Sequence, residues 1–380
     1  MTFTSLGLEP AFLKVLAAEG FSEPTPIQQQ AIPVITAKKD LLGIAKTGSG
    51  KTLAYVLPIL RGLQTAVASR YREPTALVLV PTRELAAQVQ DVFQTFLPSA
   101  GGRLICQAIY GGGSVNSQMQ SIGKADIIVA TPGRLLDLVE KNAVSLSAIA
   151  TLVLDEADKM LNLGFKEEMN RVFALLPPKR QNLLFSATLS EDLDSIQQVL
   201  LKDPQVIKIA VEPDDVALIH QLAYLVAEEK KGPLLRYLIK QGDLKQVLVF
   251  ASSTVKADSI VNKLLKNRIH AAAVHSKLSQ QSRQFNLQEF KAGDLRVLVA
   301  TDLLARGIDI NFLPCVINYE LPRSPNDYLH RIGRTGRAES PGHAISLISP
   351  QEMEHFRMIE KKMQTRVKIL SGDSIDLQGY

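Results

Sequence analysis

The sequence predicts an α/β protein of two doubly wound parallel-sheet domains in tandem, and three observations carry that expectation. Short apolar runs of strand length recur along nearly the whole chain, with amphipathic stretches between them. These runs lack the polar alternation of a half-exposed strand, as expected where helices cover both faces of a parallel sheet. One polar stretch, VEPDDVA (211–217), interrupts the pattern near its middle, where a domain boundary fits. At 380 residues the chain also exceeds what one hydrophobic core usually serves.

In chain order, the first half supplies LLGIA (41–45), ALVLV (76–80), LICQAI (104–109), DIIVA (126–130), TLVLD (151–155) and NLLFS (182–186). The second half supplies QLAYLV (221–226), QVLVF (246–250), HAAAV (270–274), RVLVA (296–300), CVINY (315–319) and HAISLI (343–348). Helical segments between consecutive runs give the crossovers that parallel pairing requires. The expected organisation is a first domain over 1–210, a linker over 211–217, a second domain over 218–372 and a polar tail over 373–380. DIIVATPGR near 126 and RVLVATDLLARG near 296 both end a strand in Ala-Thr, a weak echo between the halves.

Bulk properties narrow the setting. No apolar run approaches the ~18 residues that suggest a membrane span, and the N-terminus has neither a basic region nor an apolar one that would read as a secretion signal. Cys106 and Cys315 stand apart from any partner at metal spacing, which suits buried thiols in a reducing, cytoplasmic compartment. A net charge of +5 lets a polyanion bind only through a local basic surface.

Chemistry concentrates where strands end. After LLGIA comes AKTGSGKT (45–52), then a helical LAYVLPIL. A glycine-rich turn aims backbone N–H groups at a phosphate and the helix N-terminus adds its dipole. Thr47, Gly48, Ser49 and Gly50 would form that cradle, Lys51 would reach the β/γ-phosphates, and the Thr52 hydroxyl would bind Mg²⁺. Ala45 stands where the general pattern has glycine. After TLVL come Asp155, Glu156, Ala157 and Asp158. Alone, this tetrapeptide reads equally as a helix start with solvated acids. Beside a phosphate loop, Asp155 becomes a Mg²⁺ partner and Glu156 a base that orients and deprotonates water.

With these motifs in place, the sequence resembles the DEAD-box ATP-dependent RNA helicase family from Phe3 to about residue 350. The resemblance implies two tandem RecA-like domains that hydrolyse ATP with Mg²⁺ and bind RNA. It assigns Phe3, Phe21 and Gln28, within or before Gly20–Gln28, to adenine recognition; read without it, Pro24-Thr25-Pro26 is a helix-starting turn and Phe3 a core residue. It assigns Pro81, Thr82 and Arg83, then Gly111, Gly112 and Gly113, then Thr131, Gly133 and Arg134 to the RNA strand, although the first and last of these elements also begin helices well. In the second half, Ser252, Gln280, Arg283 and Thr301 are similar to further strand contacts, and Gly307 and Asp309 to the ribose contact. His330–Arg337 closes the set, with Arg334 and Arg337 as arginine fingers. Ser186, Thr188, Asp158 and His330 would couple the domains.

The implied mechanism follows from a division of parts. The first domain has the phosphate loop, metal ligand and base, while the arginines sit in the second, so catalysis requires closure. RNA contacts are split in the same way, so strand and nucleotide favour one closed state and each strengthens the other's binding. Three positions depart from the family's pattern: Lys46 at a usual glutamine, His275-Ser276-Lys277 for His-Gly-Asp, and AESPGHAIS after the arginine motif. A nucleotide-gated RNA clamp with little turnover is the competing reading, and a DNA helicase of related architecture a third. Protein partners in ribosome assembly or RNA decay stay open.

Overall fold

The computed structural model describes residues 2–380 apart from 47, 65–72, 102–103, 189–190, 210–218, 243, 303–312 and 337–341, and within that set the side chains of all but 191, 192 and 326. The chain forms two compact units, Met1–Val211 and Glu212–Tyr380. The expected linker, 211–217, lies outside the described residues.

The first unit is built on β1 (Leu41–Ile44), β2 (Ala76–Leu79), β3 (Cys106–Ile109), β4 (Ile127–Ala130), β5 (Thr151–Leu154), β6 (Gln181–Ser186) and β7 (Gln205–Lys208). They pair in the order β3-β4-β2-β5-β6-β1-β7, and every pairing is parallel. Successive side chains of a strand face opposite ways, and here both ways lead into core. Val78 joins Val153 and Phe185 in one cluster, while Leu77 and Leu79 join Leu152 and Leu184 in the other. This is why the runs read as continuous rather than alternating.

The second unit repeats the design with β8 (Ile219–Leu225), β9 (Val247–Ala251), β10 (Ala271–Val274), β11 (Val297–Thr301), β12 (Cys315–Asn318), β13 (Gly342–Ile348) and β14 (Lys368–Ser371). Their order, β10-β11-β9-β12-β13-β8-β14, is that of the first sheet strand for strand. The Ala-Thr echo falls on β4 and β11, which hold the same place in their sheets.

The structure differs from expectation at the sheet edges. β7 and β14, which no apolar run announces, each pair with one neighbour only. Three of the four residues of β7 are exposed and no residue of β14 is buried, so an edge strand needs few apolar positions to be stable. The stretch expected as a polar tail, 373–380, is instead packed. Ile375 and Leu377 lie against the second unit's core, and the Tyr380 ring meets Tyr237 at 5.2 Å. Among the described residues no helix is long and apolar enough to cross a membrane. Cys106 and Cys315 are free and buried, and burial pushes the Cys315 thiol up to about 12.

Asp40, just before β1, ties the central strands together. Its Oδ1 accepts from Asn182 N at 2.8 Å and its Oδ2 from Lys202 N at 2.9 Å. Replacing Asp40 by Ala leaves these amides unpaired, an expected loss of about 2–4 kcal/mol confined to the first unit. Urea unfolding followed by hydrogen exchange should show the second unit's protection unchanged.

Candidate functional site

Because all strands run one way, each sheet opens its carboxyl ends along a single edge, where α/β folds place their ligands. Strand order divides the first edge in two. The loops after β5, β6 and β1 are neighbours, as are those after β3, β4 and β2. The expected phosphate-loop and acidic residues occupy the first group of loops, and the first unit's expected RNA residues the second.

In the phosphate loop, Gly48 and Gly50 take φ of 80° and 92°, a left-handed backbone that glycine adopts freely. A Cβ on Gly50 would also collide with the side chains of Gln28 and Thr25. Lys51 opens the Lys51–Gln64 helix, and its buried Nζ donates to Ala45 O at 2.6 Å across the loop. The Gln28 amide is spent locally: Oε1 accepts from Thr25 N at 3.0 Å, closing a capping box, and Nε2 donates to Gly50 O at 3.1 Å. Gln28 therefore splints the 24–28 turn to the phosphate loop. Phe3 is buried in the core, whereas Phe21 is 42% exposed. Thr47 lies outside the described residues.

The acidic tetrapeptide forms a buried cluster in which each acid has one oxygen anchored and one without a partner among the described residues. Asp155 Oδ2 accepts from the Tyr55 hydroxyl at 2.9 Å while Oδ1 has none. Glu156 Oε1 meets Lys159 Nζ at 2.5 Å while Oε2 has none. Asp158 Oδ2 accepts from Thr188 Oγ1 at 2.9 Å while Oδ1 has none. Ser186, expected to serve the same coupling, turns its hydroxyl to Thr188 O at 2.8 Å and so shapes the turn that presents Thr188. Burial pushes the Asp155 carboxyl up to about 6, with Lys51 pulling against it and Glu156 reinforcing it. Tyr55, which holds Asp155, was passed over in the sequence, although it lies one helical turn after Thr52.

On the other half of the edge, two arginines converge on one loop. Arg83 lies against Gly112, whose φ of 88° and missing Cβ make room for its guanidinium. Arg134 Nη1 donates to Gly113 O at 3.2 Å. Thr82 caps its helix through Leu85 N at 3.2 Å, and Pro132 begins the helix after Thr131. Of the residues expected at the strand, Thr82 thus also caps a helix, and Pro81 and Gly133 lie next to Thr82 and Pro132.

In the second unit, Ser252 is held by Glu320, whose Oε2 accepts from both its N and its Oγ at 2.7 Å. Arg283 is buried and its Nη2 donates to Gln280 Oε1 at 2.7 Å. Thr301 ends β11, and the next residue, Asp302, receives Arg331 in a two-bond fork of 2.6 and 2.8 Å. Arg331 also donates to Asn318 Oδ1 and Glu320 O, and lies 4.8 Å from the Phe250 ring centre. This arginine, unassigned from sequence, ties β9, β11 and β12 to the helix Pro325–Ile332 that carries His330. Arg334 is buried and its carbonyl accepts from Leu313 N. Gly307, Asp309 and Arg337 lie outside the described residues.

The phosphate cradle and the buried acids fit a nucleotide with a hard divalent cation. Among the described residues no three-ligand cluster exists, so such a cation would draw most of its ligands from phosphate and water, as Mg²⁺ does.

Comparison with known proteins agrees with this geometry. The family model described as DEAD/DEAH box helicase matches residues 25–196, and that described as helicase conserved C-terminal domain matches 229–339. The chain is 39% identical over 377 residues to a DEAD-box ATP-dependent RNA helicase, CshA, of Streptococcus pneumoniae, covering 99% of this chain and 71% of that one. It is 37% identical to the ATP-dependent RNA helicase CshA of Limosilactobacillus reuteri, covering 97% and 73%. In structure it is similar to S. cerevisiae Dbp5 bound to RNA and ADP BeF3, with a TM-score of 0.86, 30% identity, and coverage of 98% and 96%.

Asp155 gives a pH-dependent test. Its folded value of about 6 exceeds the ordinary 3.8, so the unfolded chain releases the proton first as pH rises. Its contribution to stability is full below pH ~4 and is lost as pH rises through ~6, a change of on the order of 3 kcal/mol. Asp155→Asn should therefore raise the melting midpoint of the ligand-free protein at pH 7.5 and leave it nearly unchanged at pH 4.

Proposed function

The chain belongs to the DEAD-box family of ATP-dependent RNA helicases, and from that premise we propose how its own residues couple ATP hydrolysis to RNA remodelling. The observation that carries the assignment is the set of three buried acids with one oxygen held and one unpaired, beside the loop that presents Lys51.

In this reading the amides of the 47–50 loop and Lys51 bind the β- and γ-phosphates, with Lys51 giving up its bond to Ala45 O for them. Asp155 and Thr52 would hold Mg²⁺, which would supply charge neutralisation at the transferred phosphoryl group. Tyr55 fixes Asp155 so that Oδ1 faces the loop. Lys159 fixes Glu156 so that Oε2 accepts the proton of a water in line with the γ-phosphate. Phe21 and the Gln28 turn would receive the base.

RNA enters on the other half of the edge. Arg83, Arg134 and the Gly111–Gly113 loop meet backbone phosphates, with Ser252, Gln280 and Thr301 continuing the track in the second unit. Such contacts ignore base sequence, and contacts to 2′-hydroxyls would select RNA over DNA. Arg334 and Arg337 complete the catalytic set from the second unit, so hydrolysis requires the units to close, and closure on a strand pries apart a short duplex. A cytoplasmic setting and protein partners in ribosome assembly or RNA decay accord with this role.

Steady-state ATP hydrolysis with single-stranded RNA, single-stranded DNA and neither tests the coupling. RNA alone should stimulate strongly. Glu156→Gln should abolish turnover while retaining ATP binding, and Arg334→Ala should lose roughly 10³-fold or more. Equal rates under all three conditions would overturn the coupling in favour of a clamp. In the same assay, Tyr55→Phe should raise the Mg²⁺ concentration for half-maximal rate several-fold with little change in the rate at saturation.

A further inference from the structure

A cavity of about 330 Å³ lies within the second unit, between the helices Lys231–Gln241 and Thr254–Lys266. None of the residues given a nucleotide or RNA role lines it. Ile260 and Leu264 give it an apolar wall, and Tyr319, just after β12, closes one side. Arg236 is half-buried there, and its Nε is shut off from solvent with no hydrogen-bond partner among the described residues. A buried guanidinium donor without an acceptor is costly, and burial draws its pKa down from the ordinary value.

The guanidinium atom that faces the cavity is Nη1 rather than the enclosed Nε. A Cβ added to Gly232 would lie 3.4 Å from Arg236 Nη1 and 3.8 Å from the Tyr319 hydroxyl. Both polar groups thus face the same space, which glycine leaves open. Glu228 does not neutralise Arg236, because its oxygens already pair with Lys231 at 2.9 Å and Lys256 at 3.0 Å. Lys256, already paired with Glu228, lies 5.5 Å from the Tyr319 ring centre, and Glu229 and Lys263 also line the cavity. The volume stands at the small end of ligand pockets.

We propose that this cavity binds a small organic anion, a carboxylate or phosphate on a compact apolar body, with Arg236 and the Tyr319 hydroxyl as its ligands. A nucleotide is excluded. The segment after β8 has no glycine-rich cradle, and Lys231, which opens the following helix as Lys51 does in the first unit, is locked between Glu228 and Glu352.

The test uses the full chain saturated with Mg²⁺ and ADP, so that the first unit's phosphate site is filled. Fluorine NMR titrations with 4-fluorophenyl phosphate and 4-fluorophenylacetate should show binding, and the neutral 4-fluorobenzyl alcohol should show none. Arg236→Met removes the anchor and Ser259→Phe fills the cavity while keeping its charges. Each should weaken the anions roughly tenfold or more, as expected for loss of a charge-assisted bond. No binding of either anion to the unaltered chain, or undiminished binding in both variants, would overturn the proposal. Binding needs no turnover, so the result is independent of the hydrolysis reading.

Discussion

The parallel running of every strand is the constraint from which the rest of this protein follows. A parallel sheet must be covered on both faces, and here the two faces of each strand feed separate apolar clusters. Polar chemistry has nowhere to go but the edge where the strands end. Strand order then sorts that edge without further instruction. Placing β6 between β1 and β5 brings the phosphate loop to the acids, and placing β4 between β2 and β3 brings Arg83 and Arg134 to one glycine loop. The topology thus keeps these two groups of side chains apart.

The same topology, used twice, carries different residues at corresponding positions of the two units. Lys51 and Lys231 are each the first residue of the helix that follows the first strand of their sheet. Before Lys51 stand two glycines in left-handed conformation, so backbone amides can surround a phosphate. Before Lys231 stand two glutamates, and the lysine, fully buried, is neutralised by Glu228 and Glu352. At the end of β5 there is a carboxylate; at the end of β12 there is Tyr319. The second unit repeats the scaffold and occupies the corresponding lysine position with internal ion pairs.

Most of this was legible in the chain because it depends on backbone-level rules. Buried strands must be apolar, phosphate loops need glycine and lysine, and a carboxylate ending a buried strand is conspicuous. What stayed hidden depends on side chains meeting across sequence distance. Tyr55 and Asp155 are 100 residues apart, and nothing local marks the tyrosine as other than core. Arg331 sits inside a recognisable motif, yet its work of joining Asp302, Asn318 and Glu320 is visible only once three strands are assembled. Edge strands β7 and β14 escaped for the opposite reason: with one neighbour and a solvent side, they need little apolar content to form.

The acids carry a final implication. Glu156 holds φ of 55°, a left-handed backbone that a non-glycine residue adopts only at some cost. It does so within a cluster where three buried carboxylates each keep an oxygen unpaired. Left to itself, a half-satisfied polar network destabilises its surroundings more than an apolar core would. The anchored oxygens show that this is not loose packing, since Tyr55, Lys159 and Thr188 each fix one side chain from a different element. The fold thus fixes the three acids in place while leaving on each one oxygen that no described residue pairs.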